Sequence, residues 1–149
     1  MPITQAFDIA VDFFKDLANR TEALGITFAI EANPSDYGCN FCTHIADVAC
    51  LVRAVDSPVI RWHLDTGEMA MNSEDLPSVI AENADLIGSA HVSEPNLGDF
   101  SAPWSGHKAV ASALRSVGYD EFLSLEMKRP PNGLDDVKCA ADFLLATYQ

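Results

Sequence analysis

Four residues able to bind a divalent cation, Glu31, Asp65, His91 and Glu126, stand 34, 26 and 35 residues apart. Each lies at or near the end of a short run that reads as a strand: ITFAIE, VIRWHLD, LIGSAHV and EFLSLEM. A single acid at the end of a strand is ordinarily a turn former or a helix cap. Four strands of four finishing this way is a pattern of a different kind. Three carboxylates with one imidazole suit Mn²⁺, Mg²⁺ or Co²⁺, and Zn²⁺ also fits. A cation held by such a set can act as a Lewis acid on a carbonyl. A carboxylate beside it can carry a proton.

The elements that must position these residues alternate along the chain. Apolar residues Phe7, Val11, Phe14, Leu17, Ala18 and Leu24 recur at helical spacing, with Thr4 as the expected N-cap and Gly25 as the stop. The first strand runs to Glu31, and Ala32 to Asn40 reads as a loop. A second helix is expected from about Phe41 to Val55, broken by Asp56-Ser57-Pro58. After Asp65 the stretch TGEMAMN reads as a loop, and Ser73 as the N-cap of a short helix to Asn83. A long loop follows His91, then a helix from about His107 to Val117, the fourth strand and, after Arg129-Pro130-Pro131-Asn132-Gly133, a last helix running to Tyr148. This order, α-βα-βα-βα-βα, predicts an α/β fold with a parallel sheet and helical crossovers, in one domain of residues 1–149. In such folds ligands bind at the C-terminal ends of the strands. Strand alternation puts Thr27, Ala29 and Glu31 on one face, as it does Arg61, His63 and Asp65, Ser89 and His91, and Ser124 and Glu126. Phe28, Ile30, Trp62, Leu64, Leu123 and Leu125 share the opposite, bulky face, which is expected to pack on helices.

Composition removes several classes of function. A net charge of −13 repels phosphate backbones and argues against nucleic acid as a partner. No apolar run is long enough to span a bilayer. The start, MPITQAFDIA, lacks the basic and apolar regions of a signal peptide, so a cytoplasmic protein is expected. Cys39 and Cys42 form a lone CxxC next to His44; without a second pair this is not read as a structural zinc site.

The strings AIEANP, HLDTGEM, AHVSEPN and VGYDEFLSLEM, with the intervals between their metal-binding residues, resemble the sugar phosphate isomerase/epimerase superfamily of xylose isomerase-like TIM barrels. The resemblance covers nearly the whole chain, and the intervals are close to those of the ketose 3-epimerase type. It implies that Glu31, Asp65, His91 and Glu126 coordinate one divalent ion, and that Glu31 and Glu126 form the acid/base pair. The implied reaction is isomerisation or epimerisation of a sugar, small keto acid or polyol. The ion stabilises an enediolate while one glutamate removes a proton and the other returns it. Two positions depart from the pattern: Glu68 stands where many relatives have histidine, and Leu97 where epimerases often have arginine. Asn33, Glu68, Trp104 and His107 are the candidate substrate contacts. Asn33 and Glu68 follow strands that carry ligands, and Trp104 and His107 lie in the long loop after the third strand.

A complete (β/α)8 barrel takes about 250 residues. This chain matches strands five to eight, the C-terminal half, with four parallel strands and helices on the outer face. An open half barrel would expose sheet edges. A homodimer or a complementing half-barrel chain is therefore expected, with a sugar-like small molecule as substrate. A non-catalytic half barrel that binds metal or ligand, or serves in assembly, is the alternative.

Overall fold

The computed structural model describes all residues 1–149. The element order is α1 (Ile3–Thr21), β1 (Phe28–Glu31), α2 (Ile45–Val55), β2 (Ile60–Asp65), α3 (Thr66–Met71), α4 (Leu76–Glu82), β3 (Ile87–Ser93), α5 (His107–Ser116), β4 (Leu123–Glu126) and α6 (Leu134–Tyr148). Short 3₁₀ turns fill several of the joins. The four strands form one sheet in the order β1-β2-β3-β4. Phe28 to Glu31 pair in parallel with Ile60 to His63, and Ala90 to Ser93 with Leu123 to Glu126. This is the α/β architecture expected from the alternation, a part of a TIM barrel.

The chain divides into two compact units, residues 1–64 with 85–89, and residues 65–84 with 90–149. In the first, α1 and β1 both contact α2. Ile45, Val48, Leu51, Val52 and Val55 are the apolar stripe of α2, and all are buried, as are Ile60, Trp62 and Leu64 of β2. In the second, α5 contacts α4 and α6, and α6 contacts β4. Val110, Ala111 and Leu114 of α5, Ile80 of α4, Ala140 of α6 and Val92 of β3 are buried. The bulky strand face is thus fully covered on β2. Phe28 and Ile30 of β1 and Leu123 and Leu125 of β4, the outer strands, stay half-buried.

Local chemistry moves four of the expected boundaries. α1 starts at Ile3 because the Pro2 carbonyl accepts from the Ala6 amide (3.1 Å), so Thr4 lies inside the helix. α2 starts at Ile45, not Phe41, because Cys42 has φ 51° and breaks the helical path. The His44 amide donates to Asp47 Oδ2 (3.3 Å), which satisfies one of the orphan donors at that end. Ser73, at φ 53°, cannot begin a helix, and α4 begins at Leu76. The stretch after Asp65, expected to be a loop, is the helix α3, with Asp65 accepting from the Glu68 amide as its N-cap (2.9 Å).

Candidate metal centre

Asp65, the last residue of β2, is 3% exposed. Its Oδ1 accepts twice, from the Ser93 hydroxyl (2.6 Å) and from the Glu68 amide (2.9 Å). Its Oδ2 is buried and has no hydrogen-bond partner. Burial pushes the Asp65 carboxyl above its ordinary value. The Ser93 hydroxyl and the Glu68 amide oppose that shift, the Glu126 charge adds to it and His91 works against it. A buried carboxylate oxygen without a donor costs on the order of 1–3 kcal/mol or more. A cation beside Oδ2 would remove that cost, so the donor set fits a metal at this point.

His91 and Glu126 come from neighbouring strands of the same unit. In the β3–β4 register His91 lies opposite Ser124 and Ser93 opposite Glu126, so the four share one face. His91 Nδ1 is 3.1 Å from Glu126 Oε2, and their side chains are 34% and 42% exposed. The strand does not stop at His91. β3 continues to Ser93, whose amide and carbonyl are both taken by Thr66 Oγ1 (2.9 and 2.8 Å).

Glu31 ends β1, opposite His63. Glu31 Oε1 is 3.5 Å from His63 Nε2, and Ser89 Oγ is 2.6 Å from His63 Nδ1. Within the first unit Glu31 and His63 thus form one candidate pair of ligands, and within the second Asp65, His91 and Glu126 form the other candidates.

Of the candidate substrate contacts, Asn33 is half-buried just beyond β1, and its amide donates to the Cys42 carbonyl (3.2 Å). Glu68 is half-buried in the first turn of α3. Trp104 is half-buried in the loop before α5. His107 is different. It is 1% exposed, with Nε2 2.9 Å from Glu94 Oε1 and Nδ1 2.7 Å from Tyr148 Oη. Both ring nitrogens are engaged, so the ring has nothing left to offer a substrate. The Trp104 amide donates to the same Glu94 carboxylate (2.9 Å), and the Trp104 ring meets His107 edge to face. Sequence reading missed Ser93 and Glu94. Both sit inside the string AHVSEPN, but their partners lie 28 and 13 residues away in sequence.

A model of the xylose isomerase-like TIM barrel family matches residues 2–147. The chain belongs to that family. An L-ribulose 3-epimerase from Mesorhizobium japonicum is 28% identical over 110 residues, covering 74% of this chain and 37% of that protein. A D-psicose 3-epimerase from Clostridium cellulolyticum H10, determined with D-tagatose, superposes with a TM-score of 0.89 at 16% identity, over 100% of this chain and 58% of that one. An AP endonuclease of family 2 from Brucella melitensis superposes with a TM-score of 0.83 at 18% identity, over 96% and 56%. At these identities the structural likeness speaks for the fold alone. The chain spans little more than half the length of these solved structures and about a third of the curated relative. No helix is long and apolar enough to cross a membrane.

Proposed function

We propose that this chain carries the metal-binding, proton-transferring half of a sugar isomerase or epimerase. The observation that carries the reading is the buried, unpartnered Oδ2 of Asp65, in the same unit as the His91–Glu126 pair. Glu31, Asp65, His91 and Glu126 would hold one divalent ion, Mn²⁺, Mg²⁺ or Co²⁺, with Zn²⁺ as a further fit. When bound, the ion supplies Lewis acidity toward a carbonyl and its neighbouring hydroxyl.

The protein's own groups do the rest. Glu126 is two-fifths exposed and Glu31 one-third, so each can reach solvent and substrate. One takes the proton from the carbon beside the carbonyl, and the other delivers it. His63 beside Glu31 and His91 beside Glu126 orient the two carboxylates. Asn33, Glu68 and Trp104 are the proposed contacts to sugar hydroxyls. Support for a sugar-like substrate comes from the ketose 3-epimerases among the relatives. The formal charge of −13 favours that choice over nucleic acid.

The partner proposed is a second copy or a complementing half barrel. An apolar groove along α1 lined by Ile3, Ile9, Phe13 and Phe41, with Ile3, Ile9 and Phe13 exposed, supports it. Light scattering on the purified chain should give a dimer; a monomer that retains activity would remove this part of the proposal.

Incubation with Mn²⁺ and a panel of ketoses in D₂O is the test of function. Deuterium should enter the substrate beside its carbonyl. No incorporation by a chain that binds Mn²⁺ would favour the second reading, a non-catalytic half barrel. One observation favours that second reading: Leu97, at the position where arginine is frequent in epimerases, offers no donor to a substrate oxygen.

A further inference from the structure

Ser93 is wholly buried, and every polar group it has is engaged with three consecutive residues, 65 to 67. Its amide and carbonyl are bound by Thr66 Oγ1. Its Oγ accepts from the Gly67 amide (2.9 Å) and donates to Asp65 Oδ1 (2.6 Å). The direction of that last bond is forced. A carboxylate only accepts, and the Gly67 N–H already points at Oγ, so the single hydroxyl proton goes to Asp65. Glycine at position 67 leaves room for the contact. A Cβ there would lie 2.6 Å from Ser93 Oγ and 2.5 Å from the Glu94 carbonyl oxygen.

The result is an asymmetric carboxylate. Oδ1 receives two donors, the Ser93 hydroxyl and the Glu68 amide, while Oδ2 receives none. Both donors are neutral. They fix the orientation of the group without cancelling its charge, as a lysine or arginine would. A ligand that must present one oxygen and a full negative charge to a cation needs this combination, and partners behind a ligand are known to tune metal affinity.

We infer that Ser93 is the positioning residue for Asp65: its hydroxyl pins Oδ1 and leaves Oδ2 as the atom presented to the metal. The inference rests on the metal reading above and deepens it.

The test is a Mn²⁺ titration of the full chain, with free Mn²⁺ followed by electron paramagnetic resonance and folding followed by circular dichroism. Asp65→Asn is the control for the metal reading. Ser93→Ala should weaken Mn²⁺ binding about 10–100-fold. Ser93→Cys, close in size and a poor donor, should weaken it in the same direction and guards against a misfolded alanine variant. Thr66→Val strips two bonds from the Ser93 main chain but spares the hydroxyl bond. It should lower the urea midpoint and leave Mn²⁺ affinity unchanged. Wild-type affinity in a folded Ser93→Ala or Ser93→Cys variant overturns the inference. So does an equal loss of affinity in Thr66→Val, which would make Ser93 a packing residue only. Wild-type affinity in Asp65→Asn would instead remove the metal reading itself.

Discussion

His91 and Glu126 meet at 3.1 Å with 34% and 42% of their side chains open to solvent; His107 and Glu94 meet at 2.9 Å with 1% and 6%. Both pairs belong to the same compact unit, and His91 and Glu94 are three residues apart. The residue types and distances are nearly the same, and the surroundings decide what each can do. The buried pair has a complete set of partners. The Glu94 carboxylate accepts from Nε2–H of His107 and from the Trp104 amide, which leaves His107 Nδ1 to accept from the Tyr148 hydroxyl. It ties the loop after β3 to the end of α6. The open pair stands partly exposed at the strand ends, where a ligand can approach.

The largest effect should come from the open pair. Glu126→Gln removes a proposed proton carrier and should cut turnover by about 10²–10⁴-fold while leaving the urea midpoint near that of the wild type. Unchanged turnover in a chain shown to be active would end the acid/base assignment. Next is the buried pair. His107→Phe strands the Glu94 carboxylate and should cost about 2–3 kcal/mol in urea denaturation, with Mn²⁺ affinity preserved. A variant as stable as wild type would mean that the buried network contributes nothing. Tyr148→Phe removes only the bond to Nδ1 and should cost about 1 kcal/mol.

The smallest effect is one of pH. Burial holds His107 below its ordinary value near 6.5, against the pull of Glu94, while burial raises Tyr148. A histidine with a lowered folded value binds fewer protons folded than unfolded. Its share of stability is therefore intact above about 6.5 and is lost as pH falls from there toward the folded value. The urea midpoint should fall between pH 7.5 and 5.5, and fall less in His107→Phe. Equal slopes in the two proteins would contradict a neutral buried ring.

The strand order and the positions of Glu31, Asp65 and Glu126 at strand ends were legible because alternation and spacing are local properties of the chain. The family strings added the expectation that these three and His91 bind one ion. What escaped reading depends on contacts between distant residues. The helix α3 is only six residues long, too short for a periodic stripe, and its start is set by Asp65 and by Ser93 across the sheet. β3 outlasts His91 because Thr66 Oγ1 binds both main-chain groups of Ser93. Trp104 and His107, taken together as loop residues, separate once burial is known. His107 is enclosed by Glu94 and by Tyr148, 41 residues away, a partner that no spacing rule points to.

The most direct measurement is anomalous diffraction at the manganese edge from crystals of the full chain grown with Mn²⁺. The account predicts one strong peak within coordination distance of Asp65 Oδ2, touched also by His91, Glu126 and Glu31. A fully soaked crystal with no peak there, or with its peak only at the Cys39–Cys42 loop, would contradict it.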